Sequence, residues 1–307
     1  MIITIFDSNN GKFSNVLRFH WQSLGHEVRY TPLWDPRLVE GADVVFFEWA
    51  DTSIQRASDP SDKFYEEFKC SFPKGKTRII CRCHDIDMWC HNLRGIQKGF
   101  MEDLIFVAKH TARIAHEREE DNADRVHIIP HGIDLDKFTF KERTKTKKIA
   151  WVGRYDANKN YYKPFEILLE LPRDYELHMC GRRHIALWEE AYFDTLVKRN
   201  NLKVVYTADE PDMNAWLEDK EYYLLTSGKE AFSYSTAECM AKGIKPIINH
   251  FYAAEEIYPE KYIYDKISDA VKMITSDEYN PQEYRDYIAK NYELKRMLAE
   301  YDQIVLK

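Results

Sequence analysis

Residues 222–248 read as a single strand–helix–strand unit, and a chain built from such units folds as a parallel α/β sheet. Tyr222 to Leu225 is an apolar run of strand length. A short polar turn follows, then a helix from about Thr236 to Lys242, with Gly243 placed to end it in a left-handed cap. Pro246 to Ile248 is the next strand. The crossover leaves the backbone amides of residues 231–235 unpaired at the helix N-terminus, where an anion can bind. Glu230 lies at the rim of that position and Glu238, eight residues on, lies one turn inside the helix. A diphosphate flanked by a sugar and a ribose suits two carboxylates so placed. A purely structural account stands beside this one. Ser235-Thr236-Ala237-Glu238 has capping-box spacing, in which Glu238 only satisfies an N-terminal amide, and Glu230 is then a solvated loop carboxylate.

The same alternation runs through the chain. Ile2 to Phe6 is a buried strand, followed by a polar turn, Asp7 to Lys12. Phe13 to Leu24 is a helix with Val16, Leu17, Phe19 and His20 or Trp21 on its apolar side, ended by Gly25. Val28 to Tyr30, Val44 to Phe47 and Arg78 to Cys83 are further strands. Residues 50–75 are polar and read as a helix plus a loop, 92–108 as an amphipathic helix, and 113–115 and 126–129 as strands. Lys141 to Lys148 is a basic run that reads as a solvated connector between domains. Strands are then expected at 149–152, 176–179 and 204–206, with helices at 164–171, near 186–200 and 212–219, at 265–275 and at 281–302. A length of 307 residues suits two domains. We place them at 1–140 and 141–285, followed by a terminal helix in 286–307.

Composition removes several function classes. The chain is 44% hydrophobic and 31% charged with a net charge of −7, which argues against coating duplex nucleic acid. No apolar stretch approaches the length of a membrane span, and the first residues lack a basic leader and cleavage site, so a cytoplasmic location is expected. The six cysteines, at 70, 81, 83, 90, 180 and 239, form no paired framework. Cys81, Cys83 and His84 with Cys90 and His91 invite a metal reading, but the one-residue gap between Cys81 and Cys83 does not fit a zinc knuckle, and they read as core or cleft cysteines.

The 227–248 segment resembles the Glu-x7-Glu motif of the retaining family 4 glycosyltransferases, which have the GT-B fold. Glu230, Phe232, Glu238, Met240, Ala241, Gly243 and Pro246 match, while Ala231 and Ser233 stand where that family has glycines. Two other segments match in the same order. His127-Ile-Ile-Pro-His-Gly-Ile-Asp-Leu-Asp-Lys-Phe138 resembles the interdomain motif, with His131 replacing an Asn. Ile149-Ala-Trp-Val-Gly-Arg-Tyr-Asp-Ala-Asn-Lys159 resembles the Val-Gly-Arg strand and loop, with Asn160 replacing a final Gly. His84-Asp85 is similar to the His-Asp or His-Glu pair that follows a strand of the N-terminal domain, and Gly11 is what remains of that domain's glycine loop.

The resemblance implies an α/β fold of two Rossmann-like parallel-sheet domains facing a cleft, with the last helix crossing back to the N-terminal domain. It implies a retaining, metal-independent hexosyltransferase whose donor is a nucleotide-diphosphate sugar, with no cofactor or metal. By resemblance Glu230 and His84 contact the transferred sugar, Glu238 holds the ribose hydroxyls, and Arg154 and Lys159 stabilise the departing diphosphate. Gly153, Gly11 and the backbone of Phe232, Ser233, Tyr234 and Ser235 complete the donor contacts. The acceptor is a glycan, a glycolipid at the membrane face, which implies peripheral association, or another hydroxyl compound. Two other readings stand: a catalytically silent GT-B module that binds a sugar or a partner, and a UDP-sugar 2-epimerase. Asp85-Ile-Asp87 and Asp134-Leu-Asp136 also carry the Asp-x-Asp spacing of metal-dependent GT-A transferases.

Overall fold

The computed structural model describes residues 1–62, 65, 77–143, 145–208 and 212–307. They form two compact units, one of Met1–His131 with Lys295–Lys307, the other of Gly132–Leu294. Each is built on a six-stranded parallel sheet.

The first sheet comprises β1 (Ile2–Phe6), β2 (Glu27–Thr31), β3 (Val44–Phe47), β4 (Arg78–Cys83), β5 (Met101–Phe106) and β6 (Ala123–Ile128), in the order β2-β1-β3-β4-β5-β6. Its central strands are buried on both faces, which is why Val44–Phe47 reads as an unbroken apolar run. The helix Asn15–Ser23 buries Leu17 and Trp21 against this sheet, whereas Phe19, expected on the apolar side, is 58% exposed. Gly25, at φ +86°, takes the left-handed position that ends the helix turn.

Residues 92–108 are not a helix. Met101–Phe106 is the strand β5, and Lys109–Glu117, where a strand was expected at 113–115, is a helix. The pattern misleads because Asp103 interrupts the apolar run of β5. Arg78, Arg125 and His127 from the flanking strands donate to its buried carboxylate at 2.7 to 2.8 Å, so a charge sits inside the sheet at no loss of hydrogen bonding.

The second sheet comprises β7 (Lys148–Val152), β8 (Glu176–Cys180), β9 (Lys203–Thr207), β10 (Tyr222–Leu225), β11 (Lys245–Asn249) and β12 (Ile263–Tyr264), ordered β12-β11-β10-β7-β8-β9. The helices Lys163–Glu170, Leu187–Asn200 and Ile267–Thr275 fall where the sequence places them, and Met213–Trp216 is shorter than expected. The basic stretch from Lys141 lies within this unit and is not a free connector. Arg143 donates to the carbonyl oxygens of Lys242, Leu217 and Glu218 at 2.6 to 3.2 Å.

The helix expected over 281–302 is two helices, Pro281–Tyr292 and Leu294–Val305, separated by Glu293 in an extended conformation. The break is stitched by Ile133, whose N–H donates to Tyr292 O at 2.7 Å and whose carbonyl accepts from Leu294 N–H at 3.0 Å. From Lys295 the final helix belongs to the first unit, where Asp302 accepts from Trp21 Nε1 at 3.0 Å and lies 2.9 Å from His20 Nε2. The loop expected within 50–75 begins after the helix Thr52–Ser58; residues 63–64 and 66–76, including Cys70, lie outside the described residues. Among the described residues no helix is long and apolar enough to cross a membrane.

Candidate active site

In the second unit the site residues gather at the carboxyl ends of β7, β8 and β10, where ligands collect in open parallel sheets. Gly153 N–H donates to Cys180 O at 3.0 Å, closing the end of β7 onto β8. Gly181 makes that approach possible. Its φ is +143°, and a Cβ there would sit 2.0 Å from Gly153 O. In the loop beyond, the Arg154 side chain is 82% exposed and its Nε lies 3.2 Å from Asp156. Lys159 N–H donates to Asp156 Oδ1 at 2.9 Å, and its ammonium forms an ion pair with Glu230. Asn160, where the related motif has glycine, adopts φ +46°, a left-handed conformation Asn tolerates better than most residues. Gly228 N–H donates to Asn158 O at 2.8 Å and Thr226 Oγ1 to Lys159 O at 2.7 Å, tying this loop to the one after β10.

The helix after β10 runs Tyr234–Ala241, two residues earlier than the sequence suggests. Ser233 is its N-cap: Ser233 Oγ accepts from Thr236 N–H at 3.4 Å and from Thr236 Oγ1 at 2.8 Å. The capping box from Ser235 to Glu238 is therefore not formed, and Glu238 falls in the second turn with no capping role. The cap also consumes the amides of Thr236 and Ala237, so an anion at this terminus is confined to the amides before Thr236. Ser235 Oγ shares a hydrogen with Tyr223 OH at 2.6 Å. The Phe232 ring is core, edge-on to Tyr234 and Tyr292 at 5.2 Å, so any donor contact there is through its backbone. Tyr234 begins the helix itself.

Glu238 is partly buried, and its carboxylate makes no hydrogen bond or ion pair with a described residue. Burial pushes its carboxyl up to about 7, against the nearby Lys137 cation, which favours the charged form. Lys137 was not singled out in the sequence.

In the first unit His84 follows β4 and is almost fully buried. Its Nε2 lies 2.7 Å from Glu48 Oε1, and its ring stacks on Trp49 at a centroid distance of 3.9 Å. Gly11, at φ +80°, donates its N–H to Asp7 Oδ2 at 3.1 Å. That carboxylate also accepts from Asn9 N–H, Ser14 Oγ and Trp49 Nε1 at 2.5 to 2.9 Å, so the Gly11 amide is used in shaping the loop. Sequence reasoning missed Glu48, Arg82 and Asp7. Only the register reveals the pair: alignment of Phe47 with Cys81 brings Glu48 beside Arg82 at otherwise apolar strand ends.

The Asp-x-Asp pairs are local devices. Asp87 accepts from His84 N–H and Asn92 Nδ2, both at 2.8 Å, and Asp134 accepts from the amides of Asp136 and Lys137. Cys81 and Cys83 are buried, which raises both thiols well above their usual range. Among the described residues no group of three or more His, Cys, Asp or Glu side chains is arranged to hold a metal ion.

No family model and no curated protein sequence matches the chain. Solved structures do. The glycosyltransferase from Rickettsia africae ESF-5 is 14% identical, with a TM-score of 0.72 over 99% of this chain and 97% of its own. Anabaena Alr3699/HepE in complex with UDP-glucose is 12% identical, with a TM-score of 0.77 over 99% of each chain. Sucrose-phosphate synthase from Thermosynechococcus elongatus is 14% identical, with a TM-score of 0.71 over 99% of this chain and 97% of its own. With two six-stranded parallel sheets and these likenesses, the chain has the GT-B fold.

Proposed function

We propose that the protein is a retaining hexosyltransferase of the family 4 type, moving a sugar from a nucleotide-diphosphate sugar to an acceptor hydroxyl without a metal. The observation that carries this reading is the environment of Glu238. A carboxylate that burial pushes up to about 7, that no described side chain or amide hydrogen-bonds and that keeps some exposure is available to ligand hydroxyls. It lies one helix turn beyond a capped N-terminus and on the same segment as the Lys159–Glu230 ion pair. One neighbour of the same fold, Anabaena Alr3699/HepE, is seen in complex with UDP and with UDP-glucose, which supports a donor of that class.

In this reading Glu238 accepts hydrogen bonds from the ribose hydroxyls, and Arg154 and Lys159 meet the two phosphates. Lys159 exchanges Glu230 for a phosphate oxygen when the donor binds, which frees Glu230 to orient the sugar. Backbone groups of Gly153 and of Phe232, Ser233, Tyr234 and Ser235 complete the grip, the Gly11 loop supplies shape, and His84 contacts the sugar. The acceptor hydroxyl attacks on the face the diphosphate leaves, and a phosphate oxygen takes its proton. That acceptor belongs to a glycan, a glycolipid reached by peripheral membrane association, or another hydroxyl compound, and the setting is cytoplasmic.

The test is a screen of nucleotide sugars by thermal shift, followed by transfer assays in EDTA. A donor at 100 times its Kd adds about 2.7 kcal/mol of stability. Transfer should persist in EDTA and give a product of unchanged anomeric configuration. Abolition by EDTA with rescue by Mn²⁺ or Mg²⁺ would overturn the metal-independent part, and the absence of any stabilising nucleotide sugar would overturn the whole.

A further inference from the structure

Glu48 and Arg82 are completely buried at neighbouring ends of β3 and β4. Arg82 Nε and Nη2 donate to the two carboxylate oxygens of Glu48 at 2.8 and 2.6 Å. Two further donors of the guanidinium reach Phe13 O at 3.0 Å and Tyr301 OH at 3.2 Å. Burying such a pair costs desolvation that the attraction only roughly offsets, and apolar side chains of the same volume stabilise a core at least as well. Stability alone does not account for it. Its effect on His84 does.

A carboxylate whose two oxygens both accept from one guanidinium offers acceptors only. The His84 Nε2 atom 2.7 Å from Glu48 Oε1 must therefore carry the hydrogen. In the neutral ring Nδ1 is then the lone-pair acceptor. The ring plane is fixed as firmly as the tautomer. Trp49 stacks on it with 25° between the planes, and Trp49 is itself anchored by donation from Nε1 to Asp7 Oδ1 at 2.9 Å. Phe13 packs against the ring at 5.0 Å. His131, 5.3 Å away, is buried, and that burial, with the nearby Arg82 charge, holds its pKa well down, so it adds no competing cation.

We propose that Glu48 is a positioning residue which, with Arg82 behind it, holds His84 protonated on Nε2 and presents Nδ1 to accept a hydrogen bond from a hydroxyl of the bound sugar. The sugar in this statement rests on the transfer reading above; the tautomer does not.

Nitrogen-15 NMR of the imidazoles, with His84 assigned from a His84→Gln variant, reads the tautomer directly. In the wild type at pH 7 to 8 His84 should give a protonated Nε2 and an unprotonated Nδ1. Glu48→Gln places an amide that can donate against the ring, so the population should move toward the Nδ1–H form. Turnover should fall on the order of 10–10²-fold while the donor KM changes by less than about 3-fold, the pattern of a group acting after binding. Glu48→Gln leaves Arg82 unpaired and risks misfolding, so the neutral double variant Arg82→Met/Glu48→Gln is measured beside it and should show the same tautomer shift. A wild-type His84 protonated mainly on Nδ1, or a folded Glu48→Gln that keeps both tautomer and turnover, overturns the proposal. If the wild type transfers no sugar at all, the transfer reading falls and the tautomer measurement still decides the role of Glu48.

Discussion

The Lys159 ammonium pairs directly with the Glu230 carboxylate, joining the loop after β7 to the turn after β10. Each side chain therefore occupies the other's binding capacity until a ligand separates them. Arg154, by contrast, is largely exposed and, among the described residues, its side chain is held by Asp156 at 3.2 Å. The two cations thus start from different states, one engaged and one nearly free.

That difference gives the first expectation. If both cations meet the diphosphate as proposed, Lys159→Ala and Arg154→Ala should each lower turnover by on the order of 10²-fold, since each would act on charge that builds as the leaving group departs. Only Lys159→Ala should also release Glu230, and so alter how the free enzyme discriminates donor sugars. Steady-state kinetics with two donors differing in the sugar separate the cases. A variant with near wild-type turnover removes its residue from the diphosphate site.

The two glutamates should differ in what they bind. If Glu238 holds the ribose as proposed, Glu238→Gln should weaken the free nucleoside diphosphate, since that contact would form with or without a sugar. Glu230→Gln should leave nucleotide binding nearly intact and lower turnover. Calorimetry on both variants decides it. Equal affinities across wild type and variants would defeat the ribose assignment, and a loss confined to Glu230→Gln would reverse the two roles.

Glu238 also predicts a pH dependence of stability. Its carboxyl is raised from the usual glutamate range to about 7 in the folded protein, so the folded state binds the proton more tightly than the unfolded chain. The associated stability is present in full below the unfolded value near 4.3 and is lost as pH rises through about 7. Glu238→Gln removes that loss and should be more stable than wild type at pH 8 by on the order of 1–3 kcal/mol. Urea unfolding at pH 5 and pH 8 measures it, and a difference between the proteins that does not grow with pH contradicts the assignment.

Asp103 works in the opposite sense. Although burial opposes its charge, hydrogen bonds from Arg125, His127 and Arg78 hold its carboxyl far below the usual range. Its contribution is present above the unfolded pKa and is lost as pH falls toward the folded one. Asp103→Asn leaves Arg78, Arg125 and His127 facing a neutral amide and should cost on the order of 1–3 kcal/mol at pH 7, because the cations left behind keep part of their hydration. The gap between variant and wild type should narrow on acidification, as followed by denaturant midpoints.

Local pattern determined much of this protein: nearly all the strands, the helix–turn signals at Gly25 and Gly243, and the segments carrying Arg154, Lys159, Glu230 and Glu238. These follow from apolar period and turn chemistry, which act over a few residues. The sequence misled where a distant partner changes what a residue costs. Asp103 reads as a break in an apolar run until arginines from two neighbouring strands satisfy it. The terminal helix looks continuous until Ile133, far away in the chain, supplies the hydrogen bonds that split it at Glu293. Ser233 won the cap from Ser235 because the helix starts two residues earlier than its apolar period suggests. Glu48 and Arg82 are unremarkable charges in the sequence, and only the alignment of β3 with β4 sets them against each other and against His84. Secondary structure is settled by neighbours along the chain, whereas the ionisation and orientation of a buried side chain are settled by neighbours in space.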